Sequence, residues 1–342
     1  MSKVRTAEIL LEYSMYIPGP PMTQDEMWGR ATGADEPTIK MWRDIWLRNI
    51  AQNKKAYGSF ASKGLGRLWN KHLHMPCILA GAGPSLKKNV HLLKDRPGGM
   101  LLISCLHNFH LMEDMDCGVD YYVSLDAGPV TIEEVTEGCT KDDSWYWDRT
   151  KDKKLICYIG SDPELLQKWK GEIYFFNSPI PDEEIRNKVL EIEKFSTHVS
   201  SGGHVLGAAL HIAKGQLGCG PIIWVGADFA FSNVEKRRFH SWDSKYDKDL
   251  GQCVVGVDIF GNRAVTWPSY QNFKIWTDLI VTRCPGVYIN STEGGILGAY
   301  PQGNIQHIIQ QDLEDTFKMF DNSFHLEEQC KNPESDQLKI LF

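Results

Sequence analysis

The sequence has 342 residues, 42% of them hydrophobic and 24% charged, with a formal net charge of −7. This length allows a substantial buried core, and the acidic balance excludes wholesale binding to nucleic acid. Nine scattered cysteines form no CxxC pair, which speaks for reduced thiols in a cytoplasmic protein and against a disulfide framework or zinc site.

The opening stretch "MSKVRTAEILLEYSMYIPGPP" lacks the apolar core of a signal peptide, and no run approaches membrane-spanning length. Residues 1–70 read as an N-terminal helical segment. Ile39, Trp42, Ile45, Trp46 and Ile50 recur near helical spacing, so an amphipathic helix is expected to pack on a larger core or on a partner subunit. The Pro-rich "IPGPPM" before it reads as a loop.

From residue 76 short apolar runs alternate with helical segments. The expected strands are 77–81, 100–105, 121–125, 155–160, 173–176 and 222–227. They are almost continuously apolar, as strands covered on both faces are. Helices are expected in "LKKNVHLLKD", "PELLQKWKG", "DEEIRNKVLEIEKF" and "GGHVLGAALHIAKGQLG". Such alternation predicts a doubly wound and mostly parallel α/β sheet over 71–305. A β-hairpin around Phe260-Gly261-Asn262, a helix in "YQNFKIWTDLIVTRC" and a strand in "VYIN" extend it. Residues 306–342 read as a C-terminal helix and polar tail.

The first expected strand runs into Gly81-Ala82-Gly83-Pro84-Ser85 and then a helix. A strand, a Gly-x-Gly turn and a helix form the unit that holds phosphate in α/β folds. Leu86 stands where a third glycine would complete GxGxxG, and no GK[ST] follows, so a plain tight turn explains the stretch as well. Asp126 follows the third strand, Ser200-Ser201-Gly202-Gly203 opens a helix, and Asp228 follows the sixth strand. Each has a plain reading as a helix cap or helix start. Together, at the carboxyl ends of parallel strands, they describe one cleft. His240, beside Lys236, Arg237 and Arg238, is either a general base or a surface residue in a charged loop. His204 is a second base candidate, and His198, His107 and His110 are less well placed. Trp145, Tyr146 and Trp147 fall in a polar loop, where they either stack on a sugar or base or fold back onto the core. Trp242 and Trp267 are open in the same way.

"GAGPSL", "SLDA", "SSGGHV", "VGADFAFS" and "NSTEGG" occur in an order and spacing that resembles the 6-hydroxymethylpterin diphosphokinase MptE-like family, over roughly residues 45–300. That group also contains the Maf motility-associated glycosyltransferases, implicated in attaching nonulosonic acids to flagellin. The resemblance implies a Rossmann-like core that binds a nucleotide and transfers a group from it. By position, Gly81, Gly83 and Ser85 would hold phosphate, and Asp126 and Asp228 would face the nucleotide or a metal. Ser201, Gly202 and Gly203 would supply a second anion-binding helix start. His240 would stand where the family often has a histidine, and Thr292, Glu293, Gly294 and Gly295 would form the last wall. The usual Gly-Gln-Asp of the family is here Gly226-Ala227-Asp228.

The expected activity is glycosyl transfer from a nucleotide-activated acidic sugar, CMP-type in preference to others. The runner-up is diphosphate transfer from ATP with Mg²⁺. From a different class comes a nucleotide-sugar-binding or assembly protein without turnover, which would bind nucleotide and release none. The expected partner is a small-molecule nucleotide donor, with a protein or glycan as acceptor.

Overall fold

The computed structural model describes residues 35–136, 141–180, 182–194, 197–231 and 253–321. The expectations for His240, Lys236, Arg237, Arg238 and Trp242, and for the first 34 residues, lie outside these segments.

The strands, in chain order, are β1 Cys77–Ala80, β2 Leu101–Cys105, β3 Tyr121–Ser124, β4 Lys154–Tyr158, β5 Glu172–Phe176 and β6 Ile222–Val225. They continue as β7 Val254–Val257, β8 Arg263–Thr266, β9 Tyr288–Asn290 and β10 Ile309–Gln310. Among the described residues eight of them form one parallel sheet in the order β10-β9-β6-β1-β2-β3-β4-β5. The reason lies in the side chains. Ile78, Leu79, Leu102, Ile103, Tyr122, Val123, Ile156, Ile223 and Trp224 are all at most 1% exposed, so both faces of the central strands are covered.

The chain winds outward from β1 to β5, then returns to place β6 on the other side of β1. The strand order therefore reverses between β1 and β6. In open α/β sheets the loops splay apart at such a point and leave a crevice beyond the carboxyl ends of the strands. This is the Rossmann-like doubly wound architecture expected from the sequence. Strands β7 and β8 form a separate antiparallel hairpin, with Val254 opposite Thr266. Strand β10 went unread because two residues carry no periodicity.

The helices are α1 Asp35–Tyr57, α2 Leu86–Asn89, α3 Phe109–Asp114, α4 Val130–Thr136, α5 Asp143–Arg149, α6 Pro163–Lys168, α7 Glu183–Ile192, α8 Val205–His211 and α9 Pro268–Arg283. Residues 313–321 are helical as well. The helix expected over 86–95 is divided into α2 and a 3-10 segment, Val90–Asp95. Helix α5 replaces the expected polar loop at Trp145-Tyr146-Trp147. These aromatics fold back onto the protein: Tyr146 is fully buried with its hydroxyl 2.8 Å from Asp114, and Lys141 lies 3.7 Å over the Trp145 ring.

Helix α1 docks on the core of its own chain, against α6 and α7. Its buried face carries two amides. Asn49 Nδ2 donates to Ala127 O at 2.8 Å and Gly160 O at 3.2 Å, and Asn53 Nδ2 donates to Ile159 O and Ser161 O at 3.0 and 2.9 Å. The helix thereby satisfies loop carbonyls past the ends of β3 and β4 that the sheet leaves unpaired. Among the described residues no helix is long and apolar enough to cross a membrane. The described cysteines are free thiols, buried except for half-buried Cys284.

Candidate functional site

A cleft of about 360 Å³ opens at the reversal of strand order. Its floor is made by the turns after β1 (Gly81, Ala82, Gly83) and after β6 (Gly226, Ala227, Asp228). Ser124 and Asp126 after β3 line one side, and His204 with Val205 at the start of α8 line another. Phe229, Tyr270 and Phe273 add an aromatic wall.

The two floor turns are packed backbone to backbone. A Cβ built on Gly81 would lie 2.5 Å from Gly226 O, and one built on Gly226 would lie 2.5 Å from Gly81 O. Only glycine at both positions permits this approach. Gly83 is held in a different way. Its N–H donates to Gly226 O at 2.8 Å, and a Cβ there would fall 2.0 Å from Asp228 Oδ2. The sequence reading assigned Gly81 and Gly83 to a phosphate; the structure gives each a reason inside the protein.

Asp228 is 5% exposed. Both of its oxygens accept from Ser85 N–H, at 3.2 and 3.3 Å, and Oδ2 accepts from Ser85 Oγ at 2.6 Å. The groups of Ser85 that were expected to meet a ligand are thus taken by a carboxyl group of the same chain. Burial pushes the Asp228 carboxyl up to about 7, against the opposing pull of the Ser85 bonds. Gly81 N–H donates to Val225 O at 2.9 Å and residue 84 is proline. Within the turn, among the described residues, the Ala82 N–H remains for a ligand.

His204 is engaged at both ring nitrogens. Its Nδ1 accepts from Gly207 N–H at 3.1 Å, capping α8, so the neutral ring carries its proton on Nε2, which faces Thr277 Oγ1 at 3.4 Å. The ring stacks on Phe273 at 4.8 Å between centroids and meets Phe229 and Trp276 edge-on. Burial lowers its pKa to about 3. Gly202 and Gly203 have φ of +59° and +81°, and a Cβ on Gly202 would strike the Trp276 ring at 2.2 Å. Gly203 lines the cleft; Ser201 and Gly202 do not, and Ser201 Oγ accepts from Gly203 N–H at 3.2 Å.

The expected last wall stands behind the floor and does not line the cleft. Thr292 Oγ1 accepts from Ala227 N–H at 3.1 Å, and Glu293 Oε1 accepts from Leu313 N–H at 3.2 Å. A Cβ on Gly294 would lie 3.7 Å from Ser85 Cβ, and one on Gly295 would lie 2.4 Å from the Asp228 backbone. The segment braces the Asp228 loop. A buried ion pair holds the chain just after it: Lys274 and Asp278 on α9 meet at 2.8 Å, Lys274 donates to Ala299 O, and Gly298 N–H donates to Asp278.

Asp126 is exposed at the mouth. It follows β3 while Asp228 follows β6, three strand steps away in the order β6-β1-β2-β3, or roughly 14 Å. Both residues line the one cleft. Among the described residues no cluster of three or more His, Cys, Asp or Glu could hold a metal.

The sequence reading ranked His107 among the less well placed histidines, yet it lines the cleft from the 3-10 turn Leu106–Asn108 after β2. The rule that singled out the ends of the first, third and sixth strands applies equally to the second. It also missed Tyr270 and Phe273, which arrive from α9. The backbone after the floor turn is strained: Phe229 has φ +49°, where a bulky residue is rare.

A doubly wound parallel sheet with a glycine-floored cleft at its strand reversal defines a Rossmann-like α/β protein. Residues 45–234, more than half of the chain, match the family described as 6-hydroxymethylpterin diphosphokinase MptE-like, and the chain belongs to this family. Among solved structures it is similar to the MAf glycosyltransferase from Magnetospirillum magneticum AMB-1, with a TM-score of 0.50 and 14% sequence identity. The likeness covers 73% of this chain and 37% of that one, so the chain spans just over a third of that protein's length. At this identity the likeness is one of fold. No curated protein matches the chain.

Proposed function

We propose that the chain is a nucleotide-dependent transferase, and that its donor carries a single phosphate, as a CMP-activated acidic sugar does. The observation that carries this reading is the lining of the cleft. Among the described residues no lysine or arginine lines it, and the floor turn leaves one amide for a phosphate oxygen. A triphosphate brings crowded negative charge that needs cationic side chains or bridging metal ions. One phosphodiester places a far smaller demand on a backbone donor. The likeness in fold to a glycosyltransferase supports the same class, and the acidic sugar follows from the resemblance of the motifs to the Maf enzymes.

Diphosphate transfer from ATP to a hydroxymethylpterin is the second reading. The family's description favours it, and the wall of Phe229, Tyr270 and Phe273 would suit a flat heteroaromatic ring as well as it suits a base. Equilibrium binding separates the two. Titration calorimetry with CMP, UDP, GDP and ATP, each with and without Mg²⁺, is expected to show CMP binding that is insensitive to Mg²⁺. Binding of ATP alone, and only with Mg²⁺, would overturn the single-phosphate reading in favour of the second.

A further inference from the structure

Among the described non-glycine residues that line the cleft, only Phe229 has a positive φ, +49°. Glycine or asparagine adopts that conformation at little cost, and a bulky side chain seldom does. Such strain persists only where the surroundings hold it. Here two segments hold the loop. Asp228 O accepts from Ile296 N–H at 2.8 Å, Phe229 O accepts from Thr266 Oγ1, and Phe231 N–H donates to Val265 O at 2.9 Å.

Packing alone does not account for a phenylalanine at this position. Its neighbours Ala230, Ala264 and Ile296 are buried, whereas Phe229 is half-buried and lines the cleft. Its ring meets the His204 ring edge-on, with centroids 5.4 Å apart and planes at 83°. His204 in turn stacks on Phe273, at 4.8 Å and 22°. The two phenylalanine rings therefore stand steeply to one another around the histidine, and Tyr270 follows 6.2 Å from Phe273. Such a corner offers a face and an edge, the two aspects against which a flat aromatic ring packs best. The corner is close to the floor. Phe229 is next in the chain to Asp228, whose Oδ2 would lie 2.0 Å from a Cβ on Gly83. Phe229 and the Ala82 N–H are thus on the order of 10 Å apart, a gap that the ribose of a nucleotide bridges.

We propose that this aromatic corner is the subsite for the base of the donor nucleotide, with Phe229 as its platform. This rests on the single-phosphate nucleotide reading above. The phosphate takes the Ala82 N–H and the base takes the corner. Among the described residues no lysine or arginine lines the cleft, so stacking supplies affinity that the floor lacks. The left-handed backbone at residue 229 serves recognition: it is retained with a phenylalanine because the ring has a ligand to meet.

The test uses the full chain and three ligands: CMP, ribose 5-phosphate, which keeps the phosphate and lacks the base, and 6-hydroxymethylpterin. Titration calorimetry and thermal unfolding are run on wild type, Phe229→Asn and Phe273→Leu. Asparagine accepts the left-handed conformation, so Phe229→Asn is expected to unfold at or above the wild-type midpoint. Its affinity for CMP is expected to fall at least fivefold, the lower bound for loss of an aromatic platform under a base, and its affinity for ribose 5-phosphate to stay within twofold. Phe273→Leu, which keeps apolar bulk and loses the ring, is expected to weaken CMP in the same selective way. CMP affinity within twofold of wild type in both variants would overturn the assignment and leave the single-phosphate reading in place. Equal loss of CMP and ribose 5-phosphate would place the effect on the floor turn and also overturn it. A wild type that binds 6-hydroxymethylpterin and no CMP would remove the single-phosphate reading itself, and this inference with it.

Discussion

Asp228 concentrates the chemistry of single residues in this protein. Its carboxyl is buried, it joins the turn after β6 to the turn after β1 through Ser85, and burial raises its pKa to about 7. The consequence for stability has a definite sign. Between the unfolded carboxyl value near 4 and the folded value near 7, the folded chain keeps a proton that the unfolded chain has lost. The contribution is therefore fully present below about pH 4 and is lost as pH rises to about 7. Unfolding free energies of wild type from denaturant titrations are expected to fall relative to those of Asp228→Asn across this window, by on the order of a few kcal/mol. Parallel pH profiles would show that Asp228 is ionised throughout. Gly83 gives a second prediction at this scale. A Cβ 2.0 Å from Asp228 Oδ2 must push that contact apart, so Gly83→Val should lower stability by about 3 kcal/mol. A stable Gly83→Val protein that had lost only nucleotide binding would return the glycine to the ligand. The sequence singled out both residues, because a glycine turn and a strand-end aspartate are visible in one dimension. It could not tell that each is special to the other, since 143 positions separate Ser85 from Asp228.

At the scale of elements, α1 does more than cover apolar surface. Its buried asparagines complete the hydrogen bonding of the loops after β3 and β4, and its Trp42 ring would lie 2.9 Å from a Cβ on Gly128. Asn49→Ala removes the donor to Ala127 O and Gly160 O and leaves buried carbonyls without it, at a cost of about 1–3 kcal/mol in unfolding free energy. An Asn49→Ala protein as stable as wild type by chemical denaturation would mean that water replaces the amide. The helix was legible in the sequence because Ile39, Trp46 and Ile50 repeat with its period. Its polar anchoring was not, because an asparagine on an otherwise apolar face looks the same whether it meets water or a carbonyl. The opposite error occurred at α5. "DDSWYWDRT" reads as loop from its polar flanks, whereas Tyr146 reaches Asp114 and its neighbours pack on the core. Tertiary contacts decided that segment, and local composition did not carry them.

For the whole molecule, the strands and their parallel character were readable because burial on both faces leaves nearly continuous apolar runs. The strand order was not, and the order locates the cleft. With β6 beside β1, the two glycine turns become one floor, and the loop carrying Asp126 follows the strand three steps from β6. The C-terminal elements gain a purpose from the same arrangement: α9 supplies the aromatic wall, and the 292–295 segment braces the floor from behind. The central claim is that this cleft transfers a group from a donor bearing one phosphate, without a metal held by its two aspartates. The measurement that tests it most directly is turnover of the full chain with each donor class, in EDTA and in Mg²⁺. The account predicts release of CMP from CMP-N-acetylneuraminate at rates that differ less than threefold between EDTA and Mg²⁺. Turnover of ATP with 6-hydroxymethylpterin that is abolished by EDTA, with no release of CMP from the sugar donor, would contradict it.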